Sequence, residues 1–179
     1  MLELIDSNGG PLLMLERDLL LYWGGISNIG GVANPHRNII PFDDAPCDYN
    51  RACEIRGWIG PLQVGNRAGV VFWGDDLGFG LVRESDTVFF AVRPFVDIDN
   101  LEDHIEIVKE NPESFKKELE IVISPGKFIV FDSACPGWDL TGGCLEMDVL
   151  PGRYEVFTYW QKVPNAEAVF HKFRRSQSM

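Results

Sequence analysis

Leu119-Glu-Ile-Val-Ile-Ser-Pro-Gly-Lys-Phe-Ile-Val-Phe131 decides how this chain is read, because it sets two β-forming runs on either side of one Pro-Gly turn. β-Branched and aromatic side chains favour a pleated surface, and Pro-Gly interrupts it. The stretch predicts strands over 119–124 and 127–131, paired as a hairpin. The pattern returns downstream, where 144–150 and 153–161 flank Pro151-Gly152 and predict a second hairpin. Residues 168–173 then read as a last, edge strand.

Toward the N-terminus, residues 62–64, 69–73, 77–83 and 87–95 are short apolar runs divided by Gly, Asn and Asp, as in an antiparallel meander that forms a first sheet. Trp58-Ile59 leads into it as a strand closed by a turn at Gly60-Pro61. Residues 12–15, after the Gly9-Gly10-Pro11 break, read as a buried strand. Asp18 is suited to cap a short helix over 19–23 that Gly24-Gly25 stops. Residues 47–57 suggest a helical turn or two.

One longer helix is expected after residue 100. Asp99 or Asn100 can cap it, Glu102, Asp103 and Glu106 sit where the helix dipole favours negative charge, and Leu101, Ile105 and Val108 share a face. Asn111-Pro112 ends it, and a short helical piece over 113–117 follows. The expected fold is α+β: mostly antiparallel β-sheet with one or two short helices packed on it, in a single domain spanning 1–179.

Composition narrows the function. No run approaches the roughly 18 apolar residues that cross a bilayer, and the acidic N-terminus lacks the basic region of a secretory signal, so the expected compartment is the cytoplasm. A net charge of -11 repels nucleic acid phosphates and attracts basic proteins. Cys47, Cys53, Cys135 and Cys144 read as free thiols. With no Cys-x-x-Cys pair and His36, His104 and His171 scattered singly, no metal or cofactor is implied.

Catalysis finds little support. Ser133 and Cys135 are the nearest to nucleophiles, but no Gly-x-Ser-x-Gly elbow surrounds them. Asp97-x-Asp99-Asn100 departs from a calcium loop at its sixth and twelfth positions, Glu102 and Val108, and is better explained as a helix cap.

Two features remain. Between residues 75 and 120 stand thirteen acids and only five bases, which holds most of the chain's negative surplus. The surplus is either a steering patch for a basic partner or a solvated helix face. The partner-facing candidates are Asp43, Asp44, Asp75, Asp76, Asp97, Asp99, Glu102, Asp103 and Glu106. The second feature is five tryptophans, Trp23, Trp58, Trp73, Trp138 and Trp160, most of them expected in the core and a minority facing a partner.

The string Ser7-Asn-Gly-Gly-Pro-Leu-Leu-Met-Leu-Glu16, then Leu19-Leu-Leu-Tyr-Trp-Gly24, Cys47-Asp-Tyr-Asn-Arg-Ala-Cys53, Val130-Phe-Asp-Ser133 and Leu150-Pro-Gly-Arg-Tyr-Glu-Val156 resemble, in that order, the immunity protein 21 family of bacterial polymorphic toxin systems. The resemblance implies a non-enzymatic antidote that binds a cognate toxin domain and blocks it; it does not imply which toxin, and a nuclease with a basic cleft is the example that the acidic surplus suggests. The matching motifs look structural: Gly9, Gly10 and Gly24 would serve turns, and Asp48, Tyr49 and Arg51 would tie a helical turn to the sheet. The loop over 25–46 matches least. The competing expectation is a β-rich module that binds a small ligand or carbohydrate through exposed tryptophans and carboxylates.

Overall fold

The computed structural model describes residues 3–7, 10–26, 47–73, 78–94, 104–106, 108, 114–163 and 166–176. Its strands are β1 (Leu4–Ile5), β2 (Leu12–Glu16), β3 (Ile59–Val64), β4 (Arg67–Phe72), β5 (Phe79–Arg83), β6 (Val88–Pro94), β7 (Lys116–Ile123), β8 (Gly126–Asp132), β9 (Cys144–Val149), β10 (Gly152–Val163) and β11 (Ala166–Arg175). A six-stranded sheet runs β1-β5-β6-β11-β10-β7, and a five-stranded sheet runs β3-β4-β2-β8-β9. All pairings are antiparallel.

The sheets meet face to face. Leu12, Met14, Phe72 and Val130 from one pack against Phe79, Phe89, Val156 and Phe173 from the other. The remaining faces are partly covered as well, which explains the continuous apolar runs in the central strands. Every residue of β2 is buried. Its Leu13 and Leu15 turn away from the neighbouring sheet and meet Leu19, Trp23 and Ala52. Leu19 belongs to a 3-10 helix, Arg17–Tyr22, and Ala52 to α1, Asp48–Cys53. On the far side, Ile105 and Val108, from helical residues 104–106 and 108, pack on Phe90, Val92, Ala168 and Phe170.

Strand therefore dominates, and the expected α+β class narrows to mostly β with short helices. The 3-10 helix begins one residue before Asp18, which lies in its first turn rather than capping it. The helical piece expected over 113–117 gives way to strand, because β7 starts at Lys116. Gly60-Pro61 does not end a strand: β3 runs through it. Pro61 fits there because β3 lies at a sheet edge, where a missing N–H leaves no ladder bond unmade.

Both expected Pro-Gly hairpins are overturned. β7 pairs with β10 and β8 with β2 and β9, so Pro125-Gly126 carries the chain from one sheet to the other. Pro151-Gly152 returns it, from β9 to β10. Primed two-residue hairpin turns need positive φ at their first central residue, which the proline ring forbids. Gly126 and Gly152 both adopt φ 152°, the same glycine-favouring geometry at both corners. The meander divides in the same way, with β3 and β4 in one sheet and β5 and β6 in the other. β11 is no edge strand, since β6 and β10 flank it.

Candidate functional site

Of the nine acids expected to face a partner, Glu106 is the one the described residues contain. It is exposed, on the side of the helical segment opposite buried Ile105 and Val108. Asp43, Asp44, Asp75, Asp76, Asp97, Asp99, Glu102 and Asp103 lie outside the described residues, as does most of the 25–46 loop.

Other acids of the 75–120 window are visible, and several are neutralised by neighbours. Glu120 meets Lys117 at 2.5 Å and Arg153 at 3.3 Å, while Lys117 also reaches Glu155 at 2.8 Å and Arg174 holds Glu155 at 2.7 Å. Hydrogen bonding to Lys117 comes first among the causes that hold both carboxyls below their ordinary range. Glu118 sits 3.5 Å from Lys116. This lattice of opposite charges spans β7, β10 and β11 and suits an edge strand that must not pair with another chain. Glu84 and Asp86 are exposed in the bend between β5 and β6, and Asp86 lies 3.8 Å from Arg83.

The tryptophans divide by environment. Trp23 is fully buried and donates its indole N–H to the Ser133 carbonyl at 2.9 Å. Trp138 and Trp160 are 42% and 48% exposed. Trp160, on β10, sits against half-buried Trp58, just ahead of β3, with ring centroids 5.6 Å apart and planes tilted by 56°. Its indole N–H donates to Glu167 on β11 at 3.1 Å, and the Lys162 ammonium lies 5.6 Å from its ring centroid. The sequence marks each tryptophan but does not join Trp58 to Trp160, which lie about a hundred residues apart, one just ahead of β3 and the other on β10 of the other sheet.

The residues considered as nucleophiles are bound into structure. Ser133 is buried and donates its hydroxyl to the Pro11 carbonyl at 2.5 Å. Burial pushes the Cys135 thiol up, and Asp132 and Asp139 add to it, opposite to what an attacking thiolate needs. All four cysteines are free. Among the described residues, no group of three His, Cys, Asp or Glu side chains could hold a metal ion, and no helix is long and apolar enough to cross a membrane.

The motif residues knit one corner together. Asp48 accepts the Gly24 N–H at 2.8 Å and the Arg51 guanidinium at 3.0 Å, while Tyr49 N–H donates to the Gly25 carbonyl at 3.1 Å. Arg51 also donates to the Gln63 carbonyl on β3. The Tyr49 ring lies so close to Gly10 that a Cβ there would stand 2.5 Å from its hydroxyl oxygen. Burial raises the Tyr49 hydroxyl above its ordinary range, with a hydrogen bond involving Cys53 contributing next. The string around Asp48 thus ties α1 to the segment between the 3-10 helix and the outer face of the five-stranded sheet.

Comparison with curated proteins and with solved structures returned no match. The model of the family described as immunity protein 21 matches residues 3–166, a span that takes in the Gly10–Asp48–Tyr49 corner, both Pro-Gly corners and the Trp58–Trp160 pair. The chain belongs to the immunity protein 21 family.

Proposed function

We propose that this immunity protein neutralises a cognate toxin by covering its active site, with no catalysis of its own. Family membership carries the binding role, and the charge distribution supports the mode. Thirteen acids against five bases between residues 75 and 120 would draw in a toxin whose cleft is basic, as a nuclease's must be to hold its substrate. Exposed Glu106 stands in that window, beside Asp97, Asp99, Glu102 and Asp103 in sequence, and Asp43, Asp44, Asp75 and Asp76 are the further contacts of the reading. The working compartment is the cytoplasm of the toxin-producing cell and its kin, and the acting unit is the single domain.

The deciding experiment is co-purification with the product of the toxin-like reading frame immediately upstream of the gene, followed by assay of that toxin with and without this protein. Stable association and loss of toxin activity are expected. Association should slow steeply as salt rises, because screening acts on long-range steering. A complex that forms without silencing the toxin would refute occlusion, and a salt-insensitive association rate would reduce the acidic window to a solubility feature.

A further inference from the structure

β10 outruns its neighbours. Its ladder with β7 ends at Thr158–Lys116, and the ladder of β11 with β6 ends at Ala168–Pro94, whereas β10 and β11 stay paired to Val163–Ala166. The tip of this hairpin carries Trp160 on the same face as Thr158 and Val156, and the ring reaches across to Trp58 beside the other sheet. A tryptophan offers roughly 150–250 Å² of contact area, and leaving about half of it in water is unfavourable unless something covers it. Trp160 is also held in place. Trp58 supports one side and Glu167 fixes the indole nitrogen, so little side-chain freedom remains to be lost on binding.

The groups around the ring define what would cover it. Lys162 lies over the indole and reaches Glu167 Oε2 at 3.4 Å, so the site already places a cation between an aromatic face and a carboxylate. A guanidinium suits that geometry better than an ammonium, since it is planar, stacks on indole and pairs with a carboxylate through two N–H groups. The chain's charge of -11 favours a basic visitor over a neutral one. We infer that Trp58, Trp160 and Glu167 form an anchor site for an arginine side chain of the cognate toxin, which displaces Lys162 as it enters. This rests on the toxin-binding reading above and adds a desolvated anchor to the long-range steering by the acidic window.

Binding kinetics between the full chain and the purified toxin test it, using Trp160→Ala, Trp160→Phe, Glu167→Gln and Lys162→Ala. Trp160→Ala is expected to weaken binding by about 30-fold or more, chiefly through faster dissociation, as loss of a central anchor does. Glu167→Gln keeps shape and removes the charge, and should weaken binding by roughly 10-fold. Trp160→Phe should fall between Trp160→Ala and wild type, and Lys162→Ala should bind as tightly as wild type or more so. Glu167→Gln keeps the idea falsifiable if Trp160→Ala proves poorly folded by circular dichroism. If wild type binds and both Trp160→Ala and Glu167→Gln bind within two-fold of it, the anchor is refuted while the immunity role stands. If wild type does not bind the toxin at all, both fall. Quenching of tryptophan fluorescence by a sugar panel, with toxin affinity unmoved by Trp160→Ala, would assign the site to carbohydrate and overturn the arginine assignment.

Discussion

Asp48 accepts the backbone N–H of Gly24 at 2.8 Å from a position that is only 4% exposed. The same carboxylate holds Arg51 at 3.0 Å, so one side chain fastens the exit of the 3-10 helix to the first turn of α1. Asp48→Ala leaves the Gly24 N–H without its acceptor and should cost about 1.5–3 kcal/mol, the usual scale for a hydrogen bond to a charged group. Asp48→Asn keeps an acceptor and should cost less. Urea unfolding of both variants checks the order, and equal losses would show that the charge, not the N–H contact, matters here.

Glu16 is buried to 2% exposure, pairs with Arg67 on β4 and accepts the Ser124 N–H at 3.1 Å. It thereby joins β2, β4 and the first Pro-Gly corner. Arg67 is partly exposed and also pairs with Asp18, so Glu16→Ala does not strand it, and the expected loss of about 1–3 kcal/mol comes from the Ser124 N–H left without its acceptor and the lost Arg67 contact. Replacing Glu16 and Arg67 together should cost less than the two single losses combined, which a double-mutant cycle measures.

His171 should make the protein sensitive to acid. It is fully buried, bonds Thr158 Oγ1 through Nδ1 at 2.9 Å, and is lowered to about 3 by burial first and by Arg93 second. Its pKa in the unfolded chain is about 6.5. Between those values the unfolded state binds the extra proton, so the stability contribution is complete above about pH 6.5 and is lost as pH falls toward 3. The slope approaches about 1.4 kcal/mol per pH unit for this one group. Unfolding curves at pH 4 to 7 should show a shallower dependence in His171→Gln than in wild type, whatever the absolute stability of the variant.

The two sheet-switching corners offer a matched comparison. At Gly126 a Cβ would meet nothing within 4 Å, so Gly126→Ala isolates the backbone cost of φ 152°, on the order of 1–3 kcal/mol. At Gly152 the same change adds a Cβ 2.6 Å from Arg175 Nε and should cost more. Thermal melts of the pair check this, and equal melting temperatures would mean that Arg175 moves aside freely.

Much of the secondary structure is legible in the sequence because strand periodicity is local. Strands appear at the apolar and β-branched runs expected over 12–15, 127–131 and 144–150, the last ending one residue early at Val149, and α1 falls within the expected 47–57 segment. Ile105 and Val108 share a buried face, as their helical spacing requires. The tie made by Asp48, Tyr49 and Arg51 was also foreshadowed, since those residues lie in one motif. Partner choice among strands was not legible. Val122 and Phe128 sit six residues apart on either side of Pro125-Gly126, yet they join different sheets.

Sequence by itself determined the strand-rich composition, the uneven charge and the family, because each is written in residue identities and their order. Only the tertiary structure decided which strands share a sheet, that β11 is central, and that Trp58 meets Trp160. Those facts depend on burial of both faces of two sheets at once, and burial is a property of residues far apart in the chain that must exclude the same water.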